Sequence, residues 1–561
     1  MKQLVECVPN FSEGRDMHII KQITDQIESV EGVRLLDVDP GKATNRTVVT
    51  FVGEPAAVVE AAFRAIAKAG ELIDMRKHSG EHARMGATDV CPLIPVANIS
   101  MEETVAFARQ LGKRVGEELG IPVFLYESAA TKPERRNLAT IRAGEYEGLP
   151  KKLQDPAWQP DFGAAAFNAQ SGATVIGARD FLVAYNINLN TKSTRIANAI
   201  AFDVREAGRI KRLGHPVLGE VVNDENGEPV RIPGTLKSVK AVGWYIEEYG
   251  FAQISMNLTN INVTSVHATF DEVVRAAHER GVRVTGSELV GLIPLRCMLE
   301  AGRHYLGKMG RSQGVSEAEI IETAVRSLGL NELGPFDPQK KIIEYVIADA
   351  ADSKLVCMDL VAFANETASE SPAPGGGSIA AYAGALGASL GAMVANLSAG
   401  KRGWEEQTAY FSEVAVQLQG IKDGLLRLVD ADTRAFDGIM QAFALPKGSD
   451  EEKKARSAAI QAATKVAIET PLQTMRLANQ SFEPLAAMIE KGNQNSITDA
   501  GVGVLCARTA VQAAWLNVKV NLGGLKDEAY KNAALAEADA ILANALKQEA
   551  SLIEKVNGAL K

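Results

Sequence analysis

Cysteine is scarce in this chain: five in 561 residues, at Cys7, Cys91, Cys297, Cys357 and Cys506, with no CxxC pair. That scatter excludes a disulfide framework and a cysteine-based zinc site, and it suits reduced thiols in a cytoplasmic protein. Basic charge is not in excess either. Lys and Arg number 60 against 69 Asp and Glu, a net charge of −9, so composition gives no support to nucleic-acid binding. Met1 to Cys7 holds no apolar run of signal-peptide length. A Leu-rich run is also missing. Ile379 to Leu397, about nineteen residues, carries no charge and reaches the length of a membrane span. Its Ala, Gly and Ser gain little in lipid, so it reads as a closely packed helix of a soluble protein.

Histidine is rare as well, seven in all, and two fall within one loop. The stretch is His78-Ser-Gly-Glu-His-Ala-Arg-Met-Gly-Ala-Thr-Asp-Val-Cys-Pro-Leu-Ile-Pro-Val96. It runs straight into an apolar strand, Val90 to Val96. A polar loop that delivers His and carboxylates to a strand edge is a common way for α/β proteins to build a site. Gly80 and Gly86 oppose a helix through the two histidines, and no third ligand is near, so proton transfer is preferred to metal binding.

The composition, 46% hydrophobic and 23% charged, is that of a soluble globular chain, long enough for three or four domains. Strand patterns fall at Gln3–Pro9, Val33–Val38, Thr47–Val52, Val90–Val96 and Ile121–Tyr126. Helices follow the Asp16 cap, Pro55 and the Ser100/Glu103 capping box. This is a split βαβ order, predicting a mixed sheet with helices on one face. Residues 130–172 read as a long irregular excursion. Thr174 to Leu189 then contains a long strand, Ser193–Gly208 a helix, Val239–Glu247 and Gln253–Thr259 paired strands, Ser265–Arg280 a helix and Val282–Ser287 a strand. The architecture of the first half repeats, although its residues do not.

Gly329 to Pro338 is a turn-rich break. Beyond it Ala becomes abundant and helical periodicity governs Trp404–Leu445, Asp450–Met488, Ala500–Asn521 and Asp527–Leu560, the pattern of an all-α bundle. The fold class is therefore multidomain: an N-terminal α/β part of two split-βαβ-like subdomains with mixed sheets, then an all-α helical bundle. The expected boundaries are 1–180, 181–328, a linker at 329–355, and 356–561.

Several long motifs carry a resemblance. Val5-Glu-Cys-Val-Pro-Asn-Phe-Ser-Glu-Gly-Arg15, the His78–Val96 stretch and Gly172-Ala-Thr-Val-Ile-Gly-Ala-Arg179 resemble the formiminotransferase half of the formimidoyltransferase-cyclodeaminase family. Glu366-Thr-Ala-Ser-Glu-Ser-Pro-Ala-Pro-Gly-Gly-Gly-Ser378, Val429-Asp-Ala-Asp-Thr-Arg-Ala-Phe436 and Gly492-Asn-Gln-Asn-Ser-Ile-Thr-Asp499 resemble its cyclodeaminase half. The resemblance implies two folate steps belonging to histidine breakdown and one-carbon metabolism. A formimidoyl group moves from N-formimino-glutamate to N5 of tetrahydrofolate, the co-substrate; N10 then closes on it, expelling ammonia and giving 5,10-methenyltetrahydrofolate. It also implies a homo-oligomer, dimerising through the helical domain, that passes polyglutamylated intermediates between sites.

By the same resemblance His82 is the acid–base group of the transfer, and Asp39 and Glu127 are the acids that would orient it. Arg84 and Arg179 are candidate forks for substrate carboxylates. The folate-contacting stretch matches Gly163 to Gly172, with Phe167 and Asn168 inside it; Ala83 and Ala164 stand where relatives are expected to carry proline. In the helical half the catalytic aspartate maps to Asp432, with Asp430 the alternative. Gly375, Gly376, Gly377 and Asp499 are further substrate-binding candidates. The glycine run before a helix lacks the Lys-Ser/Thr of a nucleotide cradle, and its bare amides would suit either a folate carboxylate or close helix packing. No metal is expected. Two other readings keep the fold: a formyl rather than formimino donor, and a non-catalytic folate-binding scaffold. The small-side-chain helix after Ser378 is expected at a subunit interface, with Gly384 and Gly387 in the contact.

Overall fold

A computed structural model describes residues 3–80, 82–214, 219–347 and 354–560. Glu81 of the histidine loop and residues 348–353 of the expected linker lie outside the described residues. The chain divides into two compact units: Met1–Ala301 with Ala324–Ile347, and Gly302–Thr323 with Ala348–Lys561.

The first unit opens with β1 (Leu4–Cys7), β2 (Asn10–Phe11), α1 (Met17–Glu28), β3 (Val33–Gly41), β4 (Arg46–Gly53) and α2 (Pro55–Leu72). Next come β5 (Thr88–Ala97), α3 (Met101–Glu118), β6 (Val123–Glu127), α4 (Leu138–Arg142), α5 (Glu145–Lys152) and β7 (Thr174–Ala178). The caps read from the sequence are present. Asp16 accepts the amides of His18 and Ile19, and Ser100 and Glu103 close a reciprocal capping box. The sheet order is β3-β4-(β1, β2)-β5-β7-β6, where β1 and β2 form one interrupted strand between β4 and β5. β5, β7 and β6 run parallel and the remaining pairs antiparallel, so the sheet is mixed.

The second half of this unit holds β8 (Val183–Leu189), α6 (Thr194–Val204), the short pair β9 (Arg209–Ile210) and β10 (Arg231–Ile232), β11 (Val239–Ile246), β12 (Phe251–Leu258), α7 (Val266–His278) and β13 (Val284–Val290). Its order β11-β12-β8-β13, antiparallel throughout, repeats the order β3-β4-(β1, β2)-β5 of the first sheet. The stretch read as one long strand from Thr174 is two strands. β7 belongs to the first sheet and β8 to the second, and the chain crosses between them at residues 179–182. Both pieces are apolar, and periodicity alone cannot say when a chain changes sheets.

Each sheet buries one face under helices. In β4, Val49 and Phe51 enter a core with Ile23 and Ile27 of α1, Val58 and Ile66 of α2, and Leu111 and Val115 of α3. Residues of alternate parity then face away from the helices: Glu6 on β1, Arg46, Val48 and Thr50 on β4, and Asn186, Gln253, Ser255 and Glu288 on the second sheet. All of these line one cavity. The unit ends with α10 (Pro338–Lys341) and α11 (Ile343–Ile347), which follow α8 (Leu295–Lys308) and α9 (Glu317–Leu328).

The helical unit contains α12 (Leu360–Thr367), α13 (Gly376–Ala399), α14 (Thr408–Ala444), α15 (Asp450–Gln480), α16 (Phe482–Lys491), α17 (Ile497–Leu522) and α18 (Glu528–Ala559). The helix expected over Asp450–Met488 breaks at Ser481 into α15 and α16. Pro484 has no amide to give a continuing helix and is accommodated in the first turn of the next one. By length and composition α13 passes as a membrane span, yet 61% of its most apolar window is buried inside the unit. Its glycines explain why. A Cβ on Gly384 would stand 3.1 Å from Ala510 and Leu425, and one on Gly387 only 2.8 Å from the Gly503 carbonyl. Gly384 therefore faces α14 and α17 and Gly387 faces α17 of the same chain, which corrects the expectation that they lie in a subunit contact. The outward stripe of α13 is instead Ile379, Leu386, Met393 and Leu397, all exposed.

Candidate active sites

The cavity of the first unit has a volume of about 800 Å³ and is walled by the helix-free faces of both sheets. His82, Asp39, Glu127 and Arg179 line it, as do Arg46, Arg142, Tyr126 and Glu288. Sequence reasoning missed the arrangement beneath His82. Asp89 is fully buried on β5 and pairs with both Arg46 of β4 and Arg142 of α4. Its other oxygen accepts the Met85 amide at 3.0 Å. Arg46 also donates to Asn10 at 2.9 Å, and its Nη1 stands 3.2 Å from Nδ1 of His82.

That Nδ1 lies 2.7 Å from the Ala83 carbonyl. A carbonyl only accepts and a guanidinium only donates, so the shorter contact assigns the proton to Nδ1 and leaves Nε2 bare. The Arg46 charge, then burial and Arg142, hold His82 down to about 3. The imidazole is therefore neutral at physiological pH, with Nε2 free to accept a proton. His78 has another task. Its Nε2 bonds the Asn45 carbonyl at 2.8 Å and its Nδ1 accepts from Arg84, so it braces the loop.

The excursion between β6 and β7 clamps this loop. Arg135, almost fully buried, pairs with Asp161 at 2.9 Å, and Asp161 also accepts the Leu125 amide. From the segment so anchored, α4 delivers Arg142 to Asp89 and α5 delivers Glu145 and Glu147 to Arg84. Arg84 thus has both carboxylates around its guanidinium, at 2.9 and 2.6 Å, and is not among the cavity-lining residues. The arginine from the expected pair that reaches the cavity is Arg179.

Gly163, Phe167, Asn168 and Gly172 also stand outside the cavity wall. Asn168 caps its own turn through the amides of Gln170 and Ser171. Gly172 adopts φ +66, and a Cβ there would come within 2.2 Å of the Met85 carbonyl, so this turn backs directly onto the histidine loop. Gly163 presses on Gly116 of α3, and Phe167, exposed, tilts against Tyr146 at 5.4 Å. Burial raises the carboxyls of Asp39 and Glu127. Asp39 accepts the Gly291 amide at 3.2 Å, and Glu127 closes β6 at φ +51, a costly value for a residue with a side chain. His82 is oriented by the Ala83 carbonyl and Arg46 rather than by these two acids.

In the helical unit, Asp432 on α14 sits at the N-terminus of α13. Its Oδ2 accepts the Ser378 amide at 3.0 Å and the Ser378 hydroxyl at 3.3 Å. A Cβ on Gly377 would lie 2.1 Å from Oδ1, so the glycine run exists here to let a carboxylate onto the helix end. Burial outweighs these bonds and raises the Asp432 carboxyl. Asp430 points elsewhere: it is buried and accepts the amides of Leu355 and Val356 at 2.7 and 3.2 Å. Asp499 opens α17, whereas Asn517, eighteen residues on, is the α17 residue beside Gly376. Asp499 is thus separated from the glycine run by about 27 Å of helix. Among the described residues no group of three His, Cys, Asp or Glu side chains could hold a metal ion.

Paired α/β halves enclosing an ionisable cavity, joined to a helical unit with a carboxylate held at a helix end, define a two-site enzyme of small molecules. Residues 4–179 match the family model described as formiminotransferase domain, N-terminal subdomain; residues 184–348 match formiminotransferase domain, and 359–540 formiminotransferase-cyclodeaminase. The formimidoyltransferase-cyclodeaminase of Gallus gallus is 46% identical over 532 residues, 95% of this chain and 94% of that protein. A glutamate formimidoyltransferase of Streptococcus pyogenes is 41% identical over 306 residues, 54% of this chain and 94% of its own length. A methenyltetrahydrofolate cyclohydrolase of Methylorubrum extorquens is 43% identical over 183 residues, 33% of this chain and 88% of its own. The chain belongs to the formimidoyltransferase-cyclodeaminase family.

Proposed function

We propose that the chain carries out both folate steps. The first unit moves the formimidoyl group of N-formimino-glutamate to N5 of tetrahydrofolate, and the helical unit closes the product to 5,10-methenyltetrahydrofolate with loss of ammonia. The observation that carries the transfer is the neutral His82 imidazole, with Nε2 bare in a cavity of about 800 Å³. As N5 attacks the amidine carbon, Nε2 takes the N5 proton and returns it to the departing glutamate nitrogen. Arg179 and Lys240 on the cavity wall supply cations for the donor's carboxylates. The donor's two carboxylates oppose the field of Arg46 and raise the basicity of His82 when they bind. Asp39 and Glu127 flank the reacting groups, and the exposed Phe167 beside Tyr146 offers a surface to the folate tail.

In the second step N10 attacks the formimino carbon, and the departing nitrogen needs protons to leave as ammonia. Asp432, with its raised carboxyl, is the group assigned to carry them. We divide the chain at 1–180, 181–328 and 356–561 for the two transferase subdomains and the cyclodeaminase, with 329–355 between. We also propose a cytoplasmic homo-oligomer, supported by five free thiols and by the exposed apolar stripe of α13.

A second reading concerns the helical unit alone: likeness to a cyclohydrolase favours hydrolysis of methenyltetrahydrofolate. One experiment separates the two. Incubation with tetrahydrofolate and formimino-glutamate should build methenyl absorbance with one ammonia per turnover. Consumption of added methenyltetrahydrofolate without ammonia would favour the hydrolase.

A further inference from the structure

Glu6 is a buried carboxylate that the transfer chemistry above does not use. It is 4% exposed, lies on β1 in the wall of the cavity, and among the described residues no donor reaches it. Val5 and Cys7 on either side enter the core, so the strand's alternation aims Glu6 away from the helices and toward the cavity. A carboxylate so placed faces the cavity with its acceptor sites open to a ligand held there. Burial pushes its carboxyl up to about 7, against the opposing charge of Arg179.

Its place along the strand restricts what that ligand group is. Glu6 pairs with Val52 and Asn10 with Val48, so four residues separate them on both β1–β2 and β4, and the chain between is extended. That spacing is about 13 Å. Asn10 holds Arg46, which touches His82. Glu6 is therefore too distant to handle the proton at the reacting nitrogen, yet a bicyclic ring with a hydrogen bond at each edge covers such a span. Tetrahydrofolate has one edge suited to a lone carboxylate, the 2-amino group and N3–H of its pyrimidine ring, two parallel donors like those of a guanidinium.

Resting on the transferase reading above, we propose that Glu6 is a positioning residue that accepts this donor pair and thereby sets the folate ring so that N5 faces His82. Three other wall carboxylates are already engaged: Glu288 accepts from Tyr249, Asn186 and Gln253, Asp39 from Gly291 and Glu145 from Arg84.

The test uses the full chain and direct binding of tetrahydrofolate, beside steady-state transfer. Glu6→Gln should weaken tetrahydrofolate binding about tenfold to a hundredfold, with KM for formimino-glutamate unchanged. A tetrahydrofolate analogue carrying methyl in place of the 2-amino group should lose as much on the wild type, and should bind wild type and E6Q alike. An analogue that binds wild type as tightly as tetrahydrofolate overturns the assignment, whether or not E6Q folds. So does a variant that raises KM for the donor instead, which would make Glu6 the holder of the amidine. Failure of the wild type to bind tetrahydrofolate at all would overturn the transferase reading, and with it this proposal.

Discussion

The guanidinium of Arg46 stands 3.2 Å from Nδ1 of His82 and is the largest cause of that imidazole's low proton affinity. Removing the charge should let the ring titrate upward. In Arg46→Met, NMR of the His82 imidazole should show a pKa moved from about 3 toward the ordinary histidine range. Asp89 keeps Arg142 in that variant, so the buried carboxylate is not left unpaired. An unmoved titration would show that burial, rather than Arg46, sets the value.

His82 also ties stability to pH. Folded, it takes a proton only near 3, whereas an unfolded histidine does so near 6.5. Between those values the unfolded chain binds the extra proton, so stability falls as pH drops through the window. His82→Asn should flatten that part of a denaturation-against-pH curve. The same variant should lower formimidoyl transfer by about 10² to 10⁴ while cyclisation of supplied 5-formimino-tetrahydrofolate persists.

Gly377→Ala drives a methyl into the Asp432 carboxylate, 2.1 Å from Oδ1 before any shift. The carboxylate has to leave the helix end or α13 has to move. Cyclisation should be lost with transfer unaffected, as measured by ammonia release and by the first-step product. Full cyclisation in this variant would remove Asp432's present position from the mechanism.

The two neighbouring aspartates should separate by phenotype. Asp430→Asn weakens two buried amide–carboxylate bonds, each worth about 1.5–3 kcal/mol, and should lower the melting temperature. Asp432→Asn should leave melting nearly unchanged and abolish cyclisation. The opposite pattern would exchange their roles.

Leu386→Asp with Met393→Asp puts two charges on the exposed stripe of α13 without touching the packed glycine face. Sedimentation should show a smaller assembly than wild type, with helical content retained by circular dichroism. A sedimentation coefficient unchanged from wild type would remove the stripe as a subunit contact.

What the sequence disclosed and what it hid follow the range of the interactions involved. Asp16, Ser100 and Glu103 were readable because a cap acts within three residues. The doubled β-α-β-β-α-β order was readable from strand patterns together with helix start signals. Arg46, Asp89 and Arg142 were not, since each is an ordinary charged residue until the sheet and the excursion bring all three under His82. Arg84 and Asp499 show the reverse. Both sit within long motifs, yet one guanidinium is taken by Glu145 and Glu147, and the other residue lies at the far end of its helix. A motif marks a stretch of chain, and only the packing decides which of its side chains meet a substrate.

Because strand faces wall the transferase cavity, its chemistry is written in an alternating register. Slipping any of those strands by one residue would turn Glu6, Arg46 or Gln253 toward the helices and present core side chains to the substrate. A single-residue insertion inside β1, β4 or β12 would turn that strand's polar residues away from the cavity, whereas His82 and Arg142 reach it from a loop and from α4. Along β1, β4 and β12, point substitutions that change what the cavity presents are therefore those at every second position, a compact set of strand sites for a mutational library.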